Sequence, residues 1–146
     1  MNRREFVART CIACLGSGLL SSMLTSCSST HYATAFIESN GISVRQTEFS
    51  ETKKGKFTQR QFIIVHHDTL EFPIYVYRHN STEYSALWMK CTHQGSELQA
   101  AGDHLYCSSH GSEFDKKGNV SQGPAEKNLR SFPVTVIDDK IFIALT

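Results

Sequence analysis

With 146 residues, 40% hydrophobic and 20% charged, the chain has the make-up of one globular domain carrying an appendage. Its formal net charge of +1, with no basic stripe interleaved with aromatics, speaks against nucleic acid as a partner. The densest basic run, "KKGK" at 53–56, contains a glycine and reads as a solvated hairpin tip.

The first 26 residues differ from the rest. "MNRREFVAR" is positively charged, and the stretch after it is apolar, small and rich in serine, which is the pattern of an export signal. That stretch falls short of the roughly 20 apolar residues of a spanning helix, so a retained anchor is the second choice. Arg3-Arg4 followed by Glu5, Phe6 and Val7 resembles the twin-arginine export motif, although Asn2 stands where serine or threonine is usual. That route carries proteins already folded around their cofactors. "LTSC" (24–27) resembles the lipobox of bacterial lipoproteins, with Cys27 as the lipidated new N-terminus. Residues 1–26 are thus expected to be a cleaved signal, 27–40 a lipid-anchored tether with the first strand, and 41–146 the functional domain. "CIAC" (11–14) has redox-motif spacing but falls inside the signal, with no βαβ context. Without residues 1–26, twelve Lys+Arg face thirteen Asp+Glu, because Arg3, Arg4, Arg9 and Glu5 leave; all seven histidines stay.

From residue 33 onward the chain reads as strands. "ATAFIES", "ISVRQTEF", "QFIIVHH", "PIYVYRH", "EYSALWMK", "DHLYC", "FPVTVID" and "KIFIAL" are rich in β-branched and aromatic residues. Between them lie "SNG", "ETKKGK", "HNST", "AAGD" and "KKGN", all built from turn formers. The clearest hairpin is "PVTVIDDKIFIAL", with Asp138-Asp139 at its tip. The fold class is all-β, an antiparallel sandwich or barrel whose loops carry the chemistry. His66 and His67 are adjacent on a strand, so they point to opposite faces and make poor joint ligands. Trp88 and Tyr106 flank the two loops considered next and are expected to pack as core residues.

Once Cys11, Cys14 and Cys27 are assigned to export and anchoring, Cys91 and Cys107 remain. Each has a histidine nearby, His93 two residues after Cys91 and His110 three after Cys107. A disulfide suits an oxidising compartment but leaves the histidines unexplained. A Cys2His2 zinc site is chemically acceptable, yet zinc modules usually place both cysteines in one loop and both histidines in the other. One of each per loop matches a two-iron cluster in which one iron takes both thiolates and the other both imidazoles.

"CTHQGS" followed after thirteen residues from His93 by "CSSHGS" resembles the Rieske [2Fe-2S] signature, and "GSEFDKKGNVSQGPAEKNLRSFPV" (111–134) resembles the rest of that cluster-binding region. The resemblance covers roughly residues 60–146 and implies a Rieske-type β-fold with a small cluster-binding subdomain of loops. It implies one [2Fe-2S] cluster per subunit, with Cys91, His93, Cys107 and His110 as ligands. Gly95 and Gly111 let the backbone turn tightly, and the resemblance implies that the segment around Pro124 forms a third loop covering the cluster. High-potential members have two more cysteines, bridged between the loops, where this chain has Ser96 and Ser109. In those members a serine hydroxyl bonds a bridging sulfide and a tyrosine hydroxyl bonds a ligand cysteine. Ser112 keeps the first position, whereas Phe114 replaces the tyrosine. A lost hydrogen bond to sulfur disfavours the more negative reduced cluster, so a potential below that of the bc-complex members is expected.

The expected function is one-electron transfer by an exported, periplasm-facing, membrane-tethered protein. It acts as a carrier or oxidoreductase subunit rather than a stand-alone enzyme, with a redox protein or a quinol as donor or acceptor. The alternatives are the Rieske subunit of a quinol–cytochrome c reductase, the small subunit of a molybdenum oxidase, and the ferredoxin of an aromatic-ring dioxygenase. From another class comes a structural zinc-binding lipoprotein. A self-contained oxygenase needs a second domain with a 2-His-1-carboxylate iron site, for which the length leaves no room.

Overall fold

The runs "FIIV" and "IYVYR" are apolar at consecutive positions instead of alternating, which means a strand buried on both faces. The computed structural model describes residues 30–53 and 55–145 and bears this out. The expected signal over 1–26 and Cys27 lie outside the described residues.

In chain order, β1 (Tyr32–Ala33), β2 (Phe36–Glu38) and β3 (Gly41–Arg45) lead into a 3-10 turn at Gln46–Phe49. The strand expected to run on to Phe49 therefore stops at Arg45. Phe49 is fully buried, and the tight turn redirects its ring into the core. The ribbon of β4 (Ser50–Lys53) and β5 (Lys56–Gln59) comes next, with the basic run at its tip as expected. β6 (Phe62–Val65), β7 (Ile74–Arg78) and β8 (Tyr84–Trp88) form the centre. Four three-residue strands follow, namely β9 (Gln99–Ala101), β10 (His104–Tyr106), β11 (Glu113–Asp115) and β12 (Val120–Gln122). The chain closes with β13 (Ser131–Phe132), β14 (Val134–Ile137) and β15 (Lys140–Ala144).

Three open sheets stack in layers. The central one has the order β1-β6-β7-β8-β13. On one side lies β14-β15-β3-β2, and on the other the short sheet β12-β11-β10-β9. Pairing is antiparallel apart from β1, which runs parallel to β6 at the edge. Pro133 separates β13 from β14, so one extended run serves two sheets and turns the corner where proline cannot donate to a ladder. Asp138 and Asp139 form the two-residue loop between Ile137 and Lys140, and Asp138 has φ 52. Such positive φ is what a tight hairpin turn demands, and Asp tolerates it better than most residues.

The alternation of the central strands splits the core in two. Ile63, Val65, Ile74 and Val76 pack against Ile42, Val44, Ile141 and Ile143. Phe62, Ile64, Tyr75, Tyr77 and Leu87 face the short sheet, meeting Leu98, Leu105, Phe114 and both remaining cysteines. Each fully buried aliphatic side chain contributes about 1.5–3 kcal/mol of transfer free energy. The hydroxyl of buried Tyr75 donates to the carbonyl of Gly102 at 2.8 Å, tying the β9–β10 turn to the central sheet. Burial, then the neighbouring Tyr77 and Asp103, push this phenol above its ordinary pKa, so it stays a donor.

Candidate metal centre

Two loops leave the tips of the short sheet. Residues 91–96 lie in the 89–98 connection between β8 and β9, and residues 107–112 join β10 to β11. Their backbones repeat one pattern. The N–H of Gly95 donates to Cys91 O at 2.8 Å and that of Cys91 to Ser96 O at 2.8 Å. In the second loop Gly111 N–H donates to Cys107 O at 2.9 Å and Cys107 N–H to Ser112 O at 2.8 Å. Gly95 and Gly111 both have φ +79, a left-handed conformation that L side chains rarely adopt and glycine adopts without cost.

The pattern sends the cysteines inward and the histidines outward. Cys91 and Cys107 are 2% and 1% exposed, free, and part of the same core cluster. His93 is half-buried and His110 exposed, with ring centroids 5.0 Å apart in an edge-on arrangement. The four side chains thus sort into a thiol pair below and an imidazole pair above. Among the described residues, no group of three or more His, Cys, Asp or Glu side chains gathers around one ion position. Burial works against ionising Cys107, but the Ser109 N–H, the Cys91 thiol, the His110 N–H and the Ser109 hydroxyl outweigh it and lower the pKa. Donors converging on a sulfur favour the thiolate, the form that binds metal.

Further bonds fix the loops to each other and to a third segment. The Ser96 and Ser109 hydroxyls hydrogen-bond to each other at 2.9 Å, at the two positions where a bridge was expected to be missing. Ser112 is fully buried, and its Oγ accepts the Ala125 N–H at 3.0 Å. That bond leaves the hydroxyl's own hydrogen for another acceptor. Thr92 donates to Lys127 O at 2.6 Å, and Gln122 donates from Nε2 to Gly111 O at 2.9 Å. The Gly123–Pro124 peptide is cis, and Pro124 borders a groove of about 410 Å³ shared with Thr92 and His93. The proline segment therefore lies beside the His93 loop. Phe114 is fully buried beside both cysteines.

Thr92 and Gln122 were not singled out from the sequence, since polar loop residues announce no partner until the fold supplies one. Trp88 and Tyr106 depart from expectation. Both are half-buried: Tyr106 bonds Gln99 through its hydroxyl, and Trp88 packs on the core half away from the cysteines while lining a groove beside the Cys91 loop.

The residues present suit a [2Fe-2S] cluster on one further observation. His93 Nδ1 is buried with no hydrogen-bond partner, a state that costs about 1–3 kcal/mol unless something binds the nitrogen. An orphaned imidazole nitrogen next to a buried thiol pair with donors aimed at the sulfur is a donor set of the right chemistry.

The comparisons with known proteins agree. The Rieske [2Fe-2S] domain profile matches residues 44–133. The cytochrome b6-f complex iron-sulfur subunit of Synechococcus elongatus is 39% identical over 56 residues, covering 37% of this chain and 31% of that protein. The ubiquinol-cytochrome c reductase iron-sulfur subunit of Rickettsia felis is 43% identical over 53 residues, covering 34% and 30%. The chain thus spans about a third of the length of the curated relatives it matches. Among solved structures, the cyanobacterial plasma membrane Rieske protein from Synechocystis PCC 6803 superposes with a TM-score of 0.50 at 28% identity, over 57% of this chain and 85% of that one. A profile match over most of the chain, on a fold that buries two thiols beneath two imidazoles, means that the chain belongs to the Rieske [2Fe-2S] family and takes its [2Fe-2S] cluster as cofactor.

Proposed function

We propose that Cys91 and Cys107 hold one iron and His93 and His110 the other, and that the protein transfers single electrons between a donor and an acceptor. The separate thiol and imidazole pairs are the observation that carries this reading over a Cys2His2 zinc site, which needs all four donors around one point. When bound, the cluster supplies a one-electron couple at a potential within roughly −150 to +300 mV. The chain's residues set how that couple is used. Exposed His110 and half-buried His93 place the imidazole edge where a partner can approach. The buried cysteines and Phe114 keep water from the opposite side. Ser112 retains a hydroxyl hydrogen for a sulfur acceptor, while Phe114 offers none, which supports a potential below that of the bc-complex members.

Residues 1–26 serve as a twin-arginine export signal and Cys27 as the lipid anchor, which leaves the domain facing the periplasm on a short tether. Two matched relatives are named as subunits of cytochrome b6-f and ubiquinol-cytochrome c reductase complexes, and the solved one as a plasma membrane protein. Those names support a membrane-associated carrier or complex subunit with a redox protein or quinol as partner. No helix among the described residues is long and apolar enough to cross a membrane.

Iron and acid-labile sulfide analysis of the purified protein, with reduced-state EPR, tests the site. Two irons, two sulfides and a Rieske-type signal are expected, and alanine at any of the four ligands should abolish the signal. A colourless protein holding one zinc overturns it.

A further inference from the structure

The flank of the first loop carries a feature that electron transfer by itself does not require. A groove of about 470 Å³ runs beside His93, bordered by Trp88, Lys90, Thr92, Lys127 and Arg130. Every charged residue on its wall is a cation. It continues past His93 into the second groove, which Lys127 also lines and where Glu126 is the acidic member.

The cations are held in place by their backbones while their heads stay available. Thr92 fixes Lys127 through its carbonyl at 2.6 Å, and the Trp88 N–H fixes Arg130 through its carbonyl at 2.9 Å. Lys127 and Arg130 are exposed, and neither has an acidic partner or a side-chain hydrogen bond among the described residues. Lys90 pairs with Glu71 at 3.2 Å. An aromatic ladder backs the wall. The Lys90 ammonium lies 4.9 Å from the Trp88 ring and 5.0 Å from Phe72, and the Arg130 guanidinium 5.7 Å from Trp88 and 4.9 Å from Phe132. Two like charges on one indole are drawn there by its π face. Glu71 offsets only the Lys90 charge, so an anion in the groove would relieve the repulsion that remains on the Arg130 side.

We propose that this groove docks a carboxylate-rich face of the electron-transfer partner, seating it against His93. A protein face fits better than a small anion, because the cations spread along a groove and do not converge on one point. Arg130 has five N–H donors and no side-chain acceptor among the described residues, which suits bidentate contact with carboxylates. Rim charges of this kind steer encounter and set the association rate. The proposal rests on the electron-transfer reading for its choice of partner, and part of its test does not.

Trp88 is the single tryptophan of the chain and lines the groove, so its fluorescence reports occupancy directly. The full-length protein should bind a glutamate decapeptide, with a change in Trp88 emission, and ignore a lysine decapeptide. The affinity should fall at least about fivefold between roughly 20 and 200 mM salt, as exposed charges are screened. Lys127→Glu with Arg130→Glu should abolish binding, and the Lys127→Gln, Arg130→Gln pair should weaken it to an intermediate value. Lys53→Glu with Lys56→Glu, on the separate ribbon, should leave it unchanged. Reduction of an acidic c-type cytochrome by the reduced protein should slow at least about tenfold in the charge-reversed variant and become faster with salt. The proposal is overturned if both peptides bind alike, if free glutamate titrates Trp88 as well as the peptide does, or if charge reversal changes neither binding nor rate. A protein that binds the acidic peptide yet shows no Rieske signal sinks the electron-transfer reading and leaves the groove standing.

Discussion

Replacing Ser112 by alanine removes one oxygen from a fully buried position. Ser112 is fully buried, and its Oγ is the acceptor for the N–H of Ala125, itself 4% exposed. The variant leaves that N–H unpaired, at about 1–3 kcal/mol for a desolvated donor. For a urea dependence of about 1–3 kcal/mol per molar, the unfolding midpoint should fall by about 1 M. The break is local as well, because this bond ties the second ligand loop to the proline segment. Amide exchange at Ala125 should therefore accelerate about ten- to a hundredfold, each factor of ten corresponding to 1.4 kcal/mol. Urea titration and exchange measured on the same sample check both numbers. If the midpoint stays within about 0.2 M and Ala125 keeps its protection, the hydroxyl is not what holds the segment, and the reasoning fails.

Phe114→Tyr should raise the reduction potential in a redox titration, because a hydroxyl beside the ligand sulfurs stabilises the reduced cluster; an unchanged value means that it does not reach a sulfur. Ser96→Cys with Ser109→Cys should form a disulfide under air, since the two hydroxyls already touch at 2.9 Å. Mass spectrometry should show the loss of two hydrogens, and closing a loop of this size should stabilise the fold by about 3 kcal/mol in denaturant titration. At Asp115, burial raises the carboxyl pKa, but the Asn119 side chain and the N–H groups of Asn119, Lys117 and Gly118 outweigh it, leaving it below its ordinary 3.8. A depressed pKa stabilises the fold above the unfolded value and is lost as pH falls through the folded one. Below pH 4, wild-type stability should thus fall more steeply than that of Asp115→Asn, and parallel acid limbs would discount the turn network.

Much of the fold was legible because strand period and burial leave marks on a sequence. "QFIIVHH" and "PIYVYRH" announced strands, and Asp138-Asp139 announced a hairpin. The 3-10 turn at 46–49 was hidden, since "QTEF" lacks glycine or proline and only the demand to bury Phe49 bends it. β9, β11 and β12 were hidden too: strands of three residues carry too few positions for alternation to stand out. The short parallel pairing of β1 with β6 depends on contacts more than thirty residues apart, which no local pattern encodes. At the site the residue types and spacing of the two loops were enough to bring the four side chains together on paper. The bonds among Thr92, Lys127, Gln122 and Gly111 were not legible, because each joins segments that only the fold makes neighbours.

The contact between Ser96 and Ser109 bears on when the site can be finished. A hydroxyl pair closes without an oxidant and opens without a reductant, so the loops meet equally well in a reducing and in an oxidising compartment. A chain fastened in this way completes its architecture wherever iron and sulfide are supplied.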